Sequence, residues 1–115
     1  MPQPAVYNYN AVANNTFPFE IRLPFDCTGD DWQLLITWGA GGVLSKRVSL
    51  GTLNLVNITT SPMLWSVNCV LQASETAAMP TDGTVVSYQI QRFASVEQRT
   101  YVTGVFAMTA SLVDG

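Results

Sequence analysis

From Phe17 onward the chain alternates. Phe17, Phe19, Ile21 and Leu23 are apolar, with Pro18, Glu20 and Arg22 between them, the period of two that a strand with one buried face requires. Pro18 has no amide hydrogen to give a central ladder, so this strand is predicted at a sheet edge. In the next run Trp32, Leu34, Ile36 and Trp38 share one side. Gly39-Ala40-Gly41-Gly42 then reverses the chain, and Val43 to Leu50 returns as the second arm of a hairpin. Further strands are predicted over 53–59, over 64–73 with Trp65, Val67, Cys69 and Leu71 on one side, and over 85–93. In this last run Val86, Tyr88, Ile90 and Arg92 oppose Val85, Ser87, Gln89, Gln91 and Phe93. A long final strand spans 99–112, with Gly104 expected at a bulge or bend. Between the fifth and sixth strands, Ser74 to Met79 reads as a short helical turn that Ser74 can cap and Pro80 stops.

Short strands separated by turn signals predict an all-β fold: an Ig-like antiparallel β-sandwich of about seven strands, with one short helical turn near 74–79. A small barrel is the second choice. No amphipathic stretch is long enough for the helices of an α/β fold. Residues 1–16 hold two prolines, four asparagines and no periodicity, so they are expected to form an extended N-terminal arm ahead of a single sandwich domain over 17–115. A polar arm cannot bury a core of its own, and a chain beginning at Thr16 is expected to fold. Val6, Tyr7, Tyr9 and Phe17 are the apolar anchors by which this segment would hold a neighbouring chain.

Charge sharpens the picture. Charged residues are only 11% of the 115 positions while hydrophobic residues reach 48%, and the polar remainder is mostly Thr, Ser, Asn and Gln. A weakly charged surface is one that partners can cover. Net charge is −3, and only Lys46 and Arg47 of the five basic residues are adjacent, so no clustered footprint for nucleic acid is expected. No run approaches the ~18 apolar residues of a membrane-spanning helix. The first residues lack the basic start and apolar core of a secretory leader. Cys27 and Cys69 are accordingly expected as free thiols.

The sequence has no histidine, which removes Ser-His and Cys-His activation and the commonest metal ligand. Two cysteines alone cannot complete a tetrahedral zinc site. Asp26, Asp30 and Asp31 could converge on calcium, but their spacing fits no calcium loop, and solvated turn carboxylates are the expectation. No enzyme, metal or cofactor is therefore predicted. The aromatic residues pose a separate alternative, a carbohydrate-binding module using exposed rings, against the reading in which Trp38 and Trp65 fill the core.

The segment Leu71-Gln72-Ala73-Ser74-Glu75-Thr76-Ala77-Ala78-Met79-Pro80, then Gly83, Val86-Ser87-Tyr88-Gln89-Ile90, Arg99-Thr100 and Gly104-Val105-Phe106 resembles a family of small tailed-bacteriophage virion proteins. The shared pattern is a strand, a helical turn of the form Thr-small-small-apolar-Pro, a Tyr-x-apolar strand and a closing Gly-x-apolar strand. Gln89 stands where the family usually has an acid, and the family's Val-Thr-Arg-like ending is absent. The resemblance covers about residues 64–110. It implies an Ig-like or baseplate-upper-protein-type sandwich serving in a tail, baseplate, fibre-adaptor or head-decoration role. On that implication the protein resides in the virion, docks onto other virion proteins and forms a homo-oligomer there.

Overall fold

Two β-sheets stack face to face, and the alternation along each strand decides which side chains turn inward. The computed structural model describes residues 5–27, 29–39, 41–94 and 97–110. Its strands are β1 (Ala5–Val6), β2 (Tyr9–Val12), β3 (Phe17–Leu23), β4 (Asp31–Trp38), β5 (Gly42–Arg47), β6 (Asn54–Thr60), β7 (Met63–Leu71), β8 (Val86–Ala94) and β9 (Glu97–Thr109). The larger sheet has the order β1-β9-β8-β4-β5, with β2 also on β9, and the smaller is β3-β7-β6. The fold is thus all-β and sandwich-like, as the alternation predicts. As Pro18 predicted, β3 lies at an edge, pairing with β7 alone.

The N-terminal segment is extended, but it is not an arm outside the core. Ala5–Val6 and Tyr9–Val12 lie end to end along β9, parallel to it, with Tyr9 opposite Phe106 and Val12 opposite Thr109. Ala11 and Ala13 are buried, and Tyr9 packs on the core. Residues without their own periodicity can still complete a sheet, because the ladder uses backbone groups that every residue carries except proline. The junction is tight. Tyr88 Oη donates to the carbonyl of Tyr7 at 2.7 Å, and a Cβ on Gly104 would stand 1.8 Å from that same oxygen. Gly104 is thus the site of a close approach and not of a bulge; the register shift falls at Ile90/Gln91 instead.

Two further boundaries move. The returning strand β5 stops at Arg47, and Val48–Leu50 form a 3₁₀ turn closed by Gly51 at φ 76°. The expected end of the last strand beyond Ala110 lies outside the described residues. The helix α1 (Ala73–Ala77) is capped by Gln72 and not Ser74: the Gln72 and Glu75 side chains bond each other's backbone amides reciprocally, a capping box. Thr76, fully buried, donates from Oγ1 to the Asn15 carbonyl at 2.7 Å, so α1 ties the β2–β3 turn to the end of the sandwich.

Of the three tryptophans, Trp32 is the fully buried one, while Trp38 and Trp65 are half-buried and pack against the core from its margins. Each alternates inward as predicted, but Trp38 sits in the last row of β4, where its ring lies over Gly42. Tyr9 stands among Phe17, Phe19, Tyr88 and Phe106, with ring centroids 5.4–5.8 Å away. Tyr9→Ala is expected to cost about 3 kcal/mol, the low end for an aromatic-to-alanine change in a core, and so to lower the melting temperature by roughly 10 °C or more. A chain beginning at Thr16 is expected to lose more than that. Thermal melts of both against the intact chain check it, and a truncated chain as stable as the full one would contradict the strand role.

Candidate functional site

Among the described residues, Glu20, Asp30, Asp31 and Glu75 are engaged in structure. Asp31 accepts from Arg47 Nε at 2.6 Å and from the Ser49 amide at 2.9 Å. Asp30 Oδ2 lies 2.9 Å from Arg92 Nε, a close contact of opposite charges whose angle is outside hydrogen-bond geometry. Glu75 takes Lys46 and the Gln72 amide. Glu20 takes Ser66 Oγ at 2.7 Å and Arg22 Nε at 3.3 Å. Burial raises the Asp31 and Glu75 carboxyls, but these donors outweigh it and hold both below their ordinary values. Glu20 is lowered chiefly by Ser66. Among the described residues no three His, Cys, Asp or Glu side chains converge on a common point. Both cysteines are free and buried, and burial pushes each thiol up to about 11, which leaves them protonated and poor nucleophiles at neutral pH.

Folding gathers charge that is scattered along the chain. Strand register brings Asp31 beside Phe93, Arg47 beside Gln33, and Arg92 beside Arg99, all at one end of the larger sheet. Four of the five basic residues, Lys46, Arg47, Arg92 and Arg99, therefore share one end of the larger sheet, while Arg22 stands on β3 of the smaller sheet. They do not form a bare positive patch, because Arg47 meets Asp31, Arg92 meets Asp30, and neighbouring Lys46 meets Glu75.

Away from that end, the outer face of the larger sheet carries no charge. One row across the strands reads Val43, Thr37, Ser87, Val105 and the next reads Ser45, Leu35, Gln89, Thr103, Val6. Val6, Val12, Val43, Val85 and Val105 are all exposed on or beside this face. Gln89 is already held by Gln91 at 3.2 Å and Thr100 at 3.1 Å, which keeps the polar part flat and ordered.

The four predicted anchor residues separate. Val6, 65% exposed, belongs to the uncharged face, while Tyr7, 53% exposed, lies on the seam between the two sheets. There Tyr7, Tyr9, Glu20, Ile21 and Arg22 line a groove of about 230 Å³. Tyr9 and Phe17 meet edge to face at 5.8 Å within the aromatic cluster, and Tyr9 Oη reaches across the seam to the Glu20 carbonyl at 3.1 Å.

No family model and no curated protein matches this chain. The site is accordingly read from its own geometry. The alternation of Val85, Ser87, Gln89 and Gln91 marks an uncharged outward stripe in the sequence itself, but nothing linear says that Thr37, Val43 and Val105 stand beside it.

The depressed carboxyls make stability depend on acid. Glu20, Asp31, Glu75 and Asp82 all titrate below their ordinary values, so the unfolded chain takes up protons first as pH falls. Their contribution is complete above the ordinary carboxylate range and is lost as pH drops through the lower folded values. With no histidine in the sequence, melting temperature is expected to stay level from about pH 8 to 5 and to fall below about pH 4. Asp31→Asn should lower the neutral-pH value and shrink the acid-induced fall, a comparison that melts across pH measure directly.

Proposed function

We propose that the protein is a non-enzymatic structural subunit that works by protein–protein docking through the outer face of its larger sheet. Its setting is the one the sequence resemblance implies, a tailed-phage virion assembled in the host cytoplasm, as a tail, baseplate, fibre-adaptor or capsid-decoration component. The observation that carries the docking reading is the uncharged pair of rows from Val43 to Val105 and from Ser45 to Val6.

Covering a charge without a partner costs far more than covering apolar or neutral polar groups, and the cores of protein interfaces are depleted of charge for that reason. Here the exposed valines supply apolar contact, while Ser, Thr and Gln side chains can bond across an interface in many geometries. The charged end is left at the rim, where salt and water screen it. Nucleic acid is not a partner on this reading, since Lys46, Arg47 and Arg92 are matched by acids and Arg99 lies over the Tyr101 ring. Among the described residues no helix is long and apolar enough to cross a membrane.

A glycan-binding reading has one observation in its favour, Tyr7 beside the seam groove with Glu20 and Arg22. The experiment separates the two. Val43→Glu combined with Val105→Glu changes exposed positions only, so the melting temperature is expected to hold within about 2 °C while occupancy in purified particles falls at least tenfold. Tyr7→Ala should leave occupancy unchanged. Absence of the chain from particles, or wild-type occupancy of the double variant, defeats the docking proposal; retention on host polysaccharide that Tyr7→Ala abolishes would put glycan binding in its place.

A further inference from the structure

A sheet edge presents unpaired N–H and C=O groups, and proteins that must remain apart block each edge with charge, proline, shortness or distortion. Among the described residues the sandwich has four edges, formed by β1 with β2, β5, β3 and β6, and three of them are blocked. β3 contains Pro18, with Glu20 and Arg22 pointing outward beside it. β5 ends in Lys46 and Arg47, both ion-paired. β1 and β2 are two and four residues long and are broken at Tyr7 and Asn8.

The fourth edge, β6, carries neither charge nor proline in its seven residues, Asn54-Leu55-Val56-Asn57-Ile58-Thr59-Thr60. Val56 is 49% and Ile58 39% exposed. A register shift between Asn57 and Thr59 bends its far end but leaves Asn54–Asn57 in regular pairing with β7.

We propose that β6 pairs with the β6 of a second copy, antiparallel about a two-fold axis, joining the two smaller sheets into one continuous sheet. Charge selects this occupant. The chain carries −3 overall, and two copies repel wherever acids face acids. β6 brings none, and its outward neighbours on β7 are Ser66 and Asn68. The nearest charges across this face, Glu20 and Arg22, lie two strands away and neutralise each other. An antiparallel strand is complementary to itself by symmetry: each copy gives and receives the same backbone bonds, and both Val56 side chains arrive on one face. The pairing uses the smaller sheet and leaves the larger sheet's outer face free, so it does not rest on the docking proposal.

The test uses the purified full chain in sedimentation runs from about 1 to 100 μM, the range of moderate affinities. A dimer is expected, and Val56→Lys should weaken it at least tenfold with the melting temperature unchanged, while Val43→Glu with Val105→Glu should leave it intact. The native thiols are buried, so Asn54→Cys, Val56→Cys, Ile58→Cys and Thr60→Cys can be compared singly under mild oxidation. Disulfide dimers should peak at the position nearest the two-fold axis, because the bond requires Cα atoms within about 7 Å. A chain that stays monomeric throughout overturns the proposal. So does a dimer that survives Val56→Lys, or a cysteine series with no preferred position; a dimer broken only by the valine-to-glutamate pair overturns it while leaving the docking face standing.

Discussion

Tyr9 holds the sandwich shut. Its ring lies within 5.4–5.8 Å of Phe17 and Phe19 on one sheet and of Tyr88 and Phe106 on the other. Aromatic edges carry partial positive charge and faces partial negative charge, so tilted and edge-to-face contacts of this kind stabilise beyond the area they bury. The N-terminal strand can sit parallel to β9 only because Gly104 has no side chain, which lets the Tyr7 carbonyl come close enough for the Tyr88 hydroxyl to reach it. The cluster thus couples the start of the chain, the edge strand β3 and the last two strands in a single packing unit.

That arrangement bears on where a partner can bind. With Tyr9 and Phe17 turned into the core, the segment that looked like a free strap becomes part of a rigid sheet. Val6 and the other exposed valines are then presented on a fixed surface, and a preorganised surface loses little conformational entropy when it is covered. The opposite end of the same sheet holds its charges in pairs, Arg47 with Asp31 and Arg92 with Asp30. The guanidinium of Arg47 also lies 4.1 Å from the centre of the Phe93 ring. These contacts hold Arg47 and Arg92 away from the uncharged rows.

The helical turn has a physical role that its composition alone did not reveal. Thr76 anchors it to Asn15, Met79 is buried in the core, and Glu75 both caps the helix and draws in Lys46. A motif of the form Thr-small-small-apolar-Pro is therefore a plug for one end of the sandwich: a hydroxyl to bond a turn and an apolar side chain to fill the gap, with Ala77 and Ala78 exposed between them. Proteins sharing that motif can share it for packing, whatever they bind.

What the sequence determined by itself was local. Alternation at Phe17–Leu23, Trp32–Trp38 and Val86–Arg92 set which side of each strand is buried, since a side-chain period of two permits only two faces. Gly39 to Gly42 marked a chain reversal by backbone chemistry, and the absence of histidine followed from composition alone. Tertiary structure decided what depends on neighbours. Tyr9 became core because β9 offered it a ladder and four aromatic rings to pack on, although the residues around it have no periodicity. Trp32, and not Trp38 or Trp65, became fully buried because Phe25 and, from far along the chain, Tyr101 pack against its ring. Arg47, Arg92 and Arg99 gathered at one end, and Thr37, Ser87 and Val105 lined up in one row, because hydrogen-bond register joins positions far apart in the chain, and no local pattern records that register.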